Sequence, residues 1–119
     1  MNTDKIIADL DAYGADVDGA LDRFLGDEEL YAECLETFAA DEGFAALGLA
    51  LKEADTKRAF ETAHMLKGVS ANLGLTPMTE AVCAVVEPLR HNSSEDLTGG
   101  YEAILAQLET LRRLLRAGN

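Results

Sequence analysis

The chain has no tryptophan, two prolines and two cysteines in 119 residues, and aromatic residues make up only 6% of it. Cys34 and Cys83 stand far apart, form no C-x-x-C pair and each falls within a helical pattern, which favours buried thiols over a disulfide. No apolar run approaches the roughly 18 residues needed to cross a bilayer. Met1-Asn2-Thr3-Asp4-Lys5 has no basic stretch leading into an apolar segment, so no signal peptide is expected and the cytoplasm is the default location. Strand-like alternation of apolar and polar residues is absent. Bases are scarce as well: 10 lysines and arginines face 22 aspartates and glutamates, for a net charge of −12. The imbalance is local, since residues 1–55 hold 15 acids and 3 bases whereas residues 56–119 hold 7 of each. Such a chain is a poor ligand for nucleic acid, whose phosphates attract basic surfaces.

Alanine and leucine dominate the 48% of residues that are hydrophobic, a composition suited to close helix contacts in one domain with one core. Ile6, Ile7 and Leu10 mark a helix over about residues 3–12, ended near Gly14. Val17, Leu21 and Phe24 mark a second short helix, stopped at Gly26. Asp27 has the chemistry of an N-cap, with Glu28 and Glu29 in the first turn where the helix dipole favours them. Leu30, Tyr31, Cys34, Leu35 and Phe38 form that helix's inner stripe. Phe44, Leu47 and Leu51 carry the next pattern, and Asp55 caps the one after it, which ends at Gly74. Thr76-Pro77 reads as N-cap and first turn of a helix with Met78, Ala81, Val82, Val85 and Leu89 inward. Pro88 should kink or stop that helix. The last helix starts at Ser93 or Ser94 and turns Tyr101, Ile104, Leu105, Leu108, Leu111 and Leu115 inward. The expected fold is all-α: an antiparallel four-helix bundle over about residues 27–117, preceded by short helices over about 3–25.

The segment from Ala63 to Gly74 holds the chemistry. On a helical wheel centred on Leu66, Ala59, Ala63, Ser70 and Leu73 lie within about 60° of that direction. His64 points roughly 160° away, towards solvent, in the company of Phe60, Lys67, Gly68 and Ala71, with Leu75 just beyond. Ser70 falls on the inner stripe as a small residue bonding back to a carbonyl one turn earlier. A glycine inside a helix costs about 1 kcal/mol against alanine, so Gly68 asks for a reason.

This run resembles the signature of histidine phosphotransfer (HPt) domains, His-x-aliphatic-Lys-Gly-x-small-x-x-aliphatic-Gly, with His64, Leu66, Lys67, Gly68, Ser70, Leu73 and Gly74 filling every position. The stretch Val17 to Tyr31 is similar to the family's lead-in, and the likeness spans nearly the whole chain. The resemblance implies that His64 is the phosphoacceptor, that Lys67 lies near the phosphoryl oxygens, and that Gly68 keeps the approach open. Phe60, Met65, Ala71 and Leu75 would form the apolar contact around it. It also implies receiver domains of response regulators as partners, and a hybrid sensor histidine kinase as a further one.

Exposed imidazole suits this work. With an ordinary pKa of about 6.5 it is mostly neutral, hence nucleophilic, at pH 7. Lys67 at i+3 can offset charge on phosphoryl oxygens. The sequence contains no phosphate-binding glycine loop and no acidic triad for an intrinsic magnesium site. Resident cofactors are therefore not expected; Mg²⁺ and the aspartate would come from the partner, and the protein would be a monomeric carrier and not an enzyme. Arg90 could approach the acceptor from the neighbouring helix, whereas His91 is assigned only a place at a helix C-terminus. Two other readings compete. Glu61-x-x-His64 is the element used twice in di-iron bundles, but here it occurs once and faces outward. The other alternative is an HPt-shaped binding or regulatory module that is never phosphorylated, against which stand the intact His64, Lys67 and Gly68.

Overall fold

Seven α-helices and no strands make up the described residues, 1–93 and 95–119, of the computed structural model. In chain order they are α1 Thr3–Tyr13, α2 Val17–Arg23, α3 Glu28–Ala39, α4 Gly43–Lys52, α5 Thr56–Asn72, α6 Thr76–Arg90 and α7 Thr98–Ala117. Helices α4 to α7 pack in sequence, α5 most closely with α6, and α4 closes back onto α7. Short connections make the successive helices antiparallel. Helix α3 lies against α7 and α1, and α1 also rests on α7. None of the described helices is long and apolar enough to cross a membrane. The expected all-α bundle with short N-terminal helices is the observed one.

Local chemistry explains most of the boundaries. The Asp27 carboxylate accepts a hydrogen bond from the Leu30 amide at 3.0 Å and that of Asp55 from the Arg58 amide at 3.1 Å, so both act as the N-caps expected of them. Asp16 does the same for α2 through the Gly19 amide. Two of the expected boundaries shift, the starts of α6 and α7, while the stop expected near Pro88 holds. Helix α6 is capped by Leu75, not Thr76, and Pro77 sits in its first turn. Pro88 lies inside α6, which ends at Arg90, so the proline stops the helix within a turn. Helix α7 starts at Thr98 and not at Ser93, because Asp96 accepts from both the backbone amide and the hydroxyl of Thr98 and holds the preceding turn non-helical. Ser94, the other expected start, lies outside the described residues.

The core is one cluster drawn from all seven helices, built around fully buried Ile6, Leu10, Tyr31, Leu35, Leu47, Leu66, Met78 and Ile104. Two residues assigned inward are not: Leu30 is 45% and Leu105 38% exposed. Each lies at the edge of its stripe beside a fully buried neighbour, Tyr31 and Ile104, which takes the central position. Small residues set the closest approaches. A methyl group on Gly100 would lie 2.9 Å from Val85, and one on Gly48 would lie 2.5 Å from the Tyr101 hydroxyl, which donates to the Phe44 carbonyl at 2.8 Å.

The end of α5 draws in the most elements. Gly74 adopts φ +71°, and the Leu75 amide turns back to the Ser70 carbonyl at 2.9 Å while the Gly74 amide bonds that of Ala71 at 3.0 Å. Tyr31 from α3 donates its hydroxyl to the Leu73 carbonyl at 2.7 Å. Arg23 from α2 donates to the carbonyls of Asn72 and Ala71 at 2.8 and 3.1 Å. The Asp16 amide bonds the Gly74 carbonyl at 2.8 Å. The α2 terminus uses the same left-handed geometry with Leu25, at φ 55° and 94% exposed, where a glycine is usual.

These two positions should respond oppositely to exchange. Gly74→Ala forces an L-residue into the left-handed region and drives its methyl into the Asp16 carbonyl, so it should destabilise by at least about 2 kcal/mol. Leu25→Gly removes the same backbone penalty with nothing lost from the core and should stabilise by roughly 0.5–1 kcal/mol. Urea unfolding of both variants checks the pair.

Burial pushes the phenols of Tyr13 and Tyr31 from 10.0 up to about 12; for Tyr31 the nearby Arg23 charge opposes the rise. Their contribution to stability is complete below pH 10, where both states are protonated, and is lost as pH rises through 12. Unfolding free energy should therefore fall between these values, and Tyr31→Phe should make that fall shallower.

Candidate functional site

Helix α5 presents two unlike faces. Ala59, Ala63, Leu66 and Ser70 are buried along one side, with Leu73 following them into the core. Ser70 donates its hydroxyl to the Lys67 carbonyl at 3.0 Å, the back-bond expected of it, and lies 2.9 Å from the Thr79 hydroxyl of α6. These small residues let α6 and α4 approach, and the approach fixes which way the other side points. His64 is exposed on that other side, with Gly68 exposed one turn later and half-buried Lys67 between them. A methyl group built on Gly68 would meet no atom within 4 Å, so its missing side chain leaves open space above the helix and relieves no internal clash.

The His64 ring meets that of Phe60 at 5.6 Å between centroids and 65° between planes, an edge-to-face contact one turn apart. Phe60 is half-buried and packs on the core. Arg90, in the last turn of α6, brings its guanidinium carbon to 5.4 Å from the centre of the same Phe60 ring. The approach of Arg90 to this face, left open by the sequence, is thus real. Among the described residues Lys67 has no carboxylate within 4.0 Å, so its ammonium is not neutralised from within the protein. The histidine beside a carboxylate is His91, whose Nε2 lies 4.0 Å from Glu87.

Of the apolar residues expected around the imidazole, Met65 is 39% exposed, Ala71 is exposed and Phe60 is at the surface in part. Leu75 is not part of that surface. It is 1% exposed and sits in the core, because the helical wheel stops applying at Gly74: the left-handed turn reverses the chain and swings Leu75 inward. Sequence reasoning also missed a groove of about 550 Å³ between α3 and α5, lined by Phe24, Cys34, Phe38, Gly68, Val69 and Asn72 among others. Gly68 and Leu73 link it to the signature, and no periodicity within one helix reveals a groove between two. A cavity of about 660 Å³ at the N-terminal end of α5, between Asp55 and Leu97, contains none of the signature residues from His64 to Gly74.

Glu61 and His64 both lie on the exposed side of α5, and among the described residues no three His, Cys, Asp or Glu side chains gather as a metal site would require. Cys34 and Cys83 are free thiols, each half-buried. The arrangement is a histidine held out to solvent, a lysine beside it and open space above the neighbouring glycine. The chain matches the model of the Hpt domain over residues 29–116 and belongs to that family, whose members relay phosphoryl groups and are phosphocarriers, not enzymes. Searches among curated proteins and among solved structures each found no match.

The open space at Gly68 separates stability from access. Gly68→Ala should raise the unfolding free energy by roughly 0.5–1 kcal/mol through helix propensity alone. Thermal or urea unfolding checks this, and a loss of stability would mean that the glycine answers an internal constraint.

Proposed function

We propose that this protein is a phosphoryl carrier in a two-component phosphorelay, with His64 as the group that is phosphorylated. A neutral ring nitrogen of His64 attacks the phosphorus of a receiver's aspartyl phosphate; the N–P bond forms, the P–O bond to aspartate breaks, and the carboxylate leaves. The proton on the second ring nitrogen is then released to solvent. Passing the group to another receiver runs the same bonds in reverse. Lys67 offsets charge on the phosphoryl oxygens, one turn along and on the same side of the helix. Gly68 lets the partner's loop approach, and Phe60, Met65 and Ala71 give it apolar surface. Mg²⁺ is brought by the receiver, whose carboxylates hold it.

The observation that supports this reading best is the pairing of exposed His64 with an un-neutralised Lys67 and an open Gly68 on a helix whose opposite face is fully committed to the core. Receiver domains, and a hybrid sensor kinase bearing one, are the proposed partners. We place the carrier in the cytoplasm, acting as a monomer, with residues 1–119 working as one unit; nucleic acid and membrane are not among its proposed partners.

Incubation with receiver domains labelled on aspartate in the presence of Mg²⁺ tests the assignment. Wild type should acquire acid-labile, base-stable label, and His64→Gln should fold normally yet acquire none. Lys67→Ala should still be labelled but about tenfold more slowly, the loss of one charge-assisted contact of roughly 1.4 kcal/mol. Equal labelling of wild type and His64→Gln would overturn the reading.

A further inference from the structure

An exposed histidine on a helix samples several ring orientations, and in-line transfer requires one of them. His64 is not left to sample freely. Its ring meets the Phe60 ring edge-to-face at 5.6 Å, and the same Phe60 ring lies under the Arg90 guanidinium at 5.4 Å. Three side chains from two helices therefore stand in contact as cation, aromatic ring and imidazole.

Each link in this series is itself oriented. Phe60 packs on the core with part of its surface and leaves the rest to its two neighbours. Arg90 is drawn by Glu87 one turn earlier, with Nε 3.6 Å from the carboxylate, so the guanidinium is placed from two sides. Pro88 and the left-handed turn at Asn92, φ 52°, end α6 around Arg90, which keeps it at the rim and not further along a continuing helix. Leucine would fill the core-facing part of the Phe60 site equally well. Only an aromatic ring offers an edge and face to an imidazole and a guanidinium together.

We infer that Phe60, held by Arg90 across the α5–α6 contact, is a positioning residue that sets the orientation of the His64 imidazole for phosphoryl transfer. This inference rests on His64 being the acceptor, as proposed above. Neither Phe60 nor Arg90 needs to touch the phosphoryl group. Their effect is on the fraction of time in which the attacking nitrogen faces the incoming phosphorus.

The test uses full-length wild type, Phe60→Leu, Phe60→Tyr, Arg90→Gln and Arg90→Lys. Phosphoramidate serves as a donor that needs no receiver: a ring nitrogen forms the N–P bond as the bond to nitrogen in the donor breaks and ammonia leaves. Labelling by aspartyl-phosphorylated receiver, receiver affinity, and the NMR shifts of the His64 ring protons are measured alongside. Phe60→Leu and Arg90→Gln should slow labelling by phosphoramidate, which does not use the docking surface, about two- to fivefold, and Arg90→Gln should slow labelling by the receiver to the same extent with receiver affinity changed less than about twofold. Phe60→Leu should also move the His64 ring protons by loss of the aromatic ring current. Phe60→Tyr should restore both rate and shifts, and Arg90→Lys should restore the rate in part, since an ammonium keeps the charge but not the planar stack. A residue that only packed would be replaced by leucine with no change in either labelling rate, whatever the ring-current shift. Folded Phe60→Leu and Arg90→Gln proteins labelled at the wild-type rate would overturn the inference. Wild type that takes no label from either donor would instead overturn the assignment of His64 as acceptor.

Discussion

The carbonyl groups at the end of α5 form the junction on which the arrangement depends. A helix leaves its last carbonyls without intrahelical partners, and burial makes each one costly unless something donates to it. Here the donors come from four places: the turned-back amides of Gly74 and Leu75, the Tyr31 hydroxyl on α3, the Arg23 guanidinium at the end of α2, and the Asp16 amide. Satisfying one helix end thus ties the short N-terminal helices and α3 to the helix that bears His64. The residues matched by the family model begin at 29, so Asp16 and Arg23 reach into the matched region from outside it.

With its end held, α5 has little freedom to rotate about its axis. The stripe of Ala59, Ala63, Leu66 and Ser70 commits one side to α4 and α6, and a rotation large enough to hide His64 would bring charged Lys67 or Glu61 towards the core. Ion pairs contribute little to this determination. Those among the described residues, Lys5 with Asp9, Arg90 and His91 with Glu87, and the cluster of Arg113 and Arg116 on Glu109, lie on exposed surface where such pairs are worth at most about 1 kcal/mol. Which face of α5 is turned to solvent is set by close packing and by hydrogen bonds at the helix end.

Features with local causes were legible in the sequence. Asp27 and Asp55 cap through their own side chains, Gly74 ends its helix by its own backbone freedom, and the α5 stripe follows from a period that any helix obeys. Reading failed where a local rule was carried past its range. Leu75 was placed by a helical wheel that Gly74 had already interrupted, and the start of α7 by serines where the side chain of Asp96 shaped the turn. Contacts between segments distant in sequence were invisible for a different reason. Nothing in the spacing of Arg90, Phe60, Tyr31 or Arg23 states which surface each will meet, because that is settled only when the helices have packed.

The chain's first and last helices meet as well. The Asn2 amide donates to the Gly118 carbonyl at 2.6 Å, and a methyl group on Gly118 would press into Ile6, so the two ends of the described chain lie side by side where α1 rests on α7. A fold with adjacent ends behaves as a cassette: it can be spliced into a loop of a host protein, or carry passengers at both ends, with little stretching of either junction. Any passenger would leave from the α1–α7 seam, while the imidazole stands on α5. Modularity and exposure of the reactive group are in this way assigned to different helices.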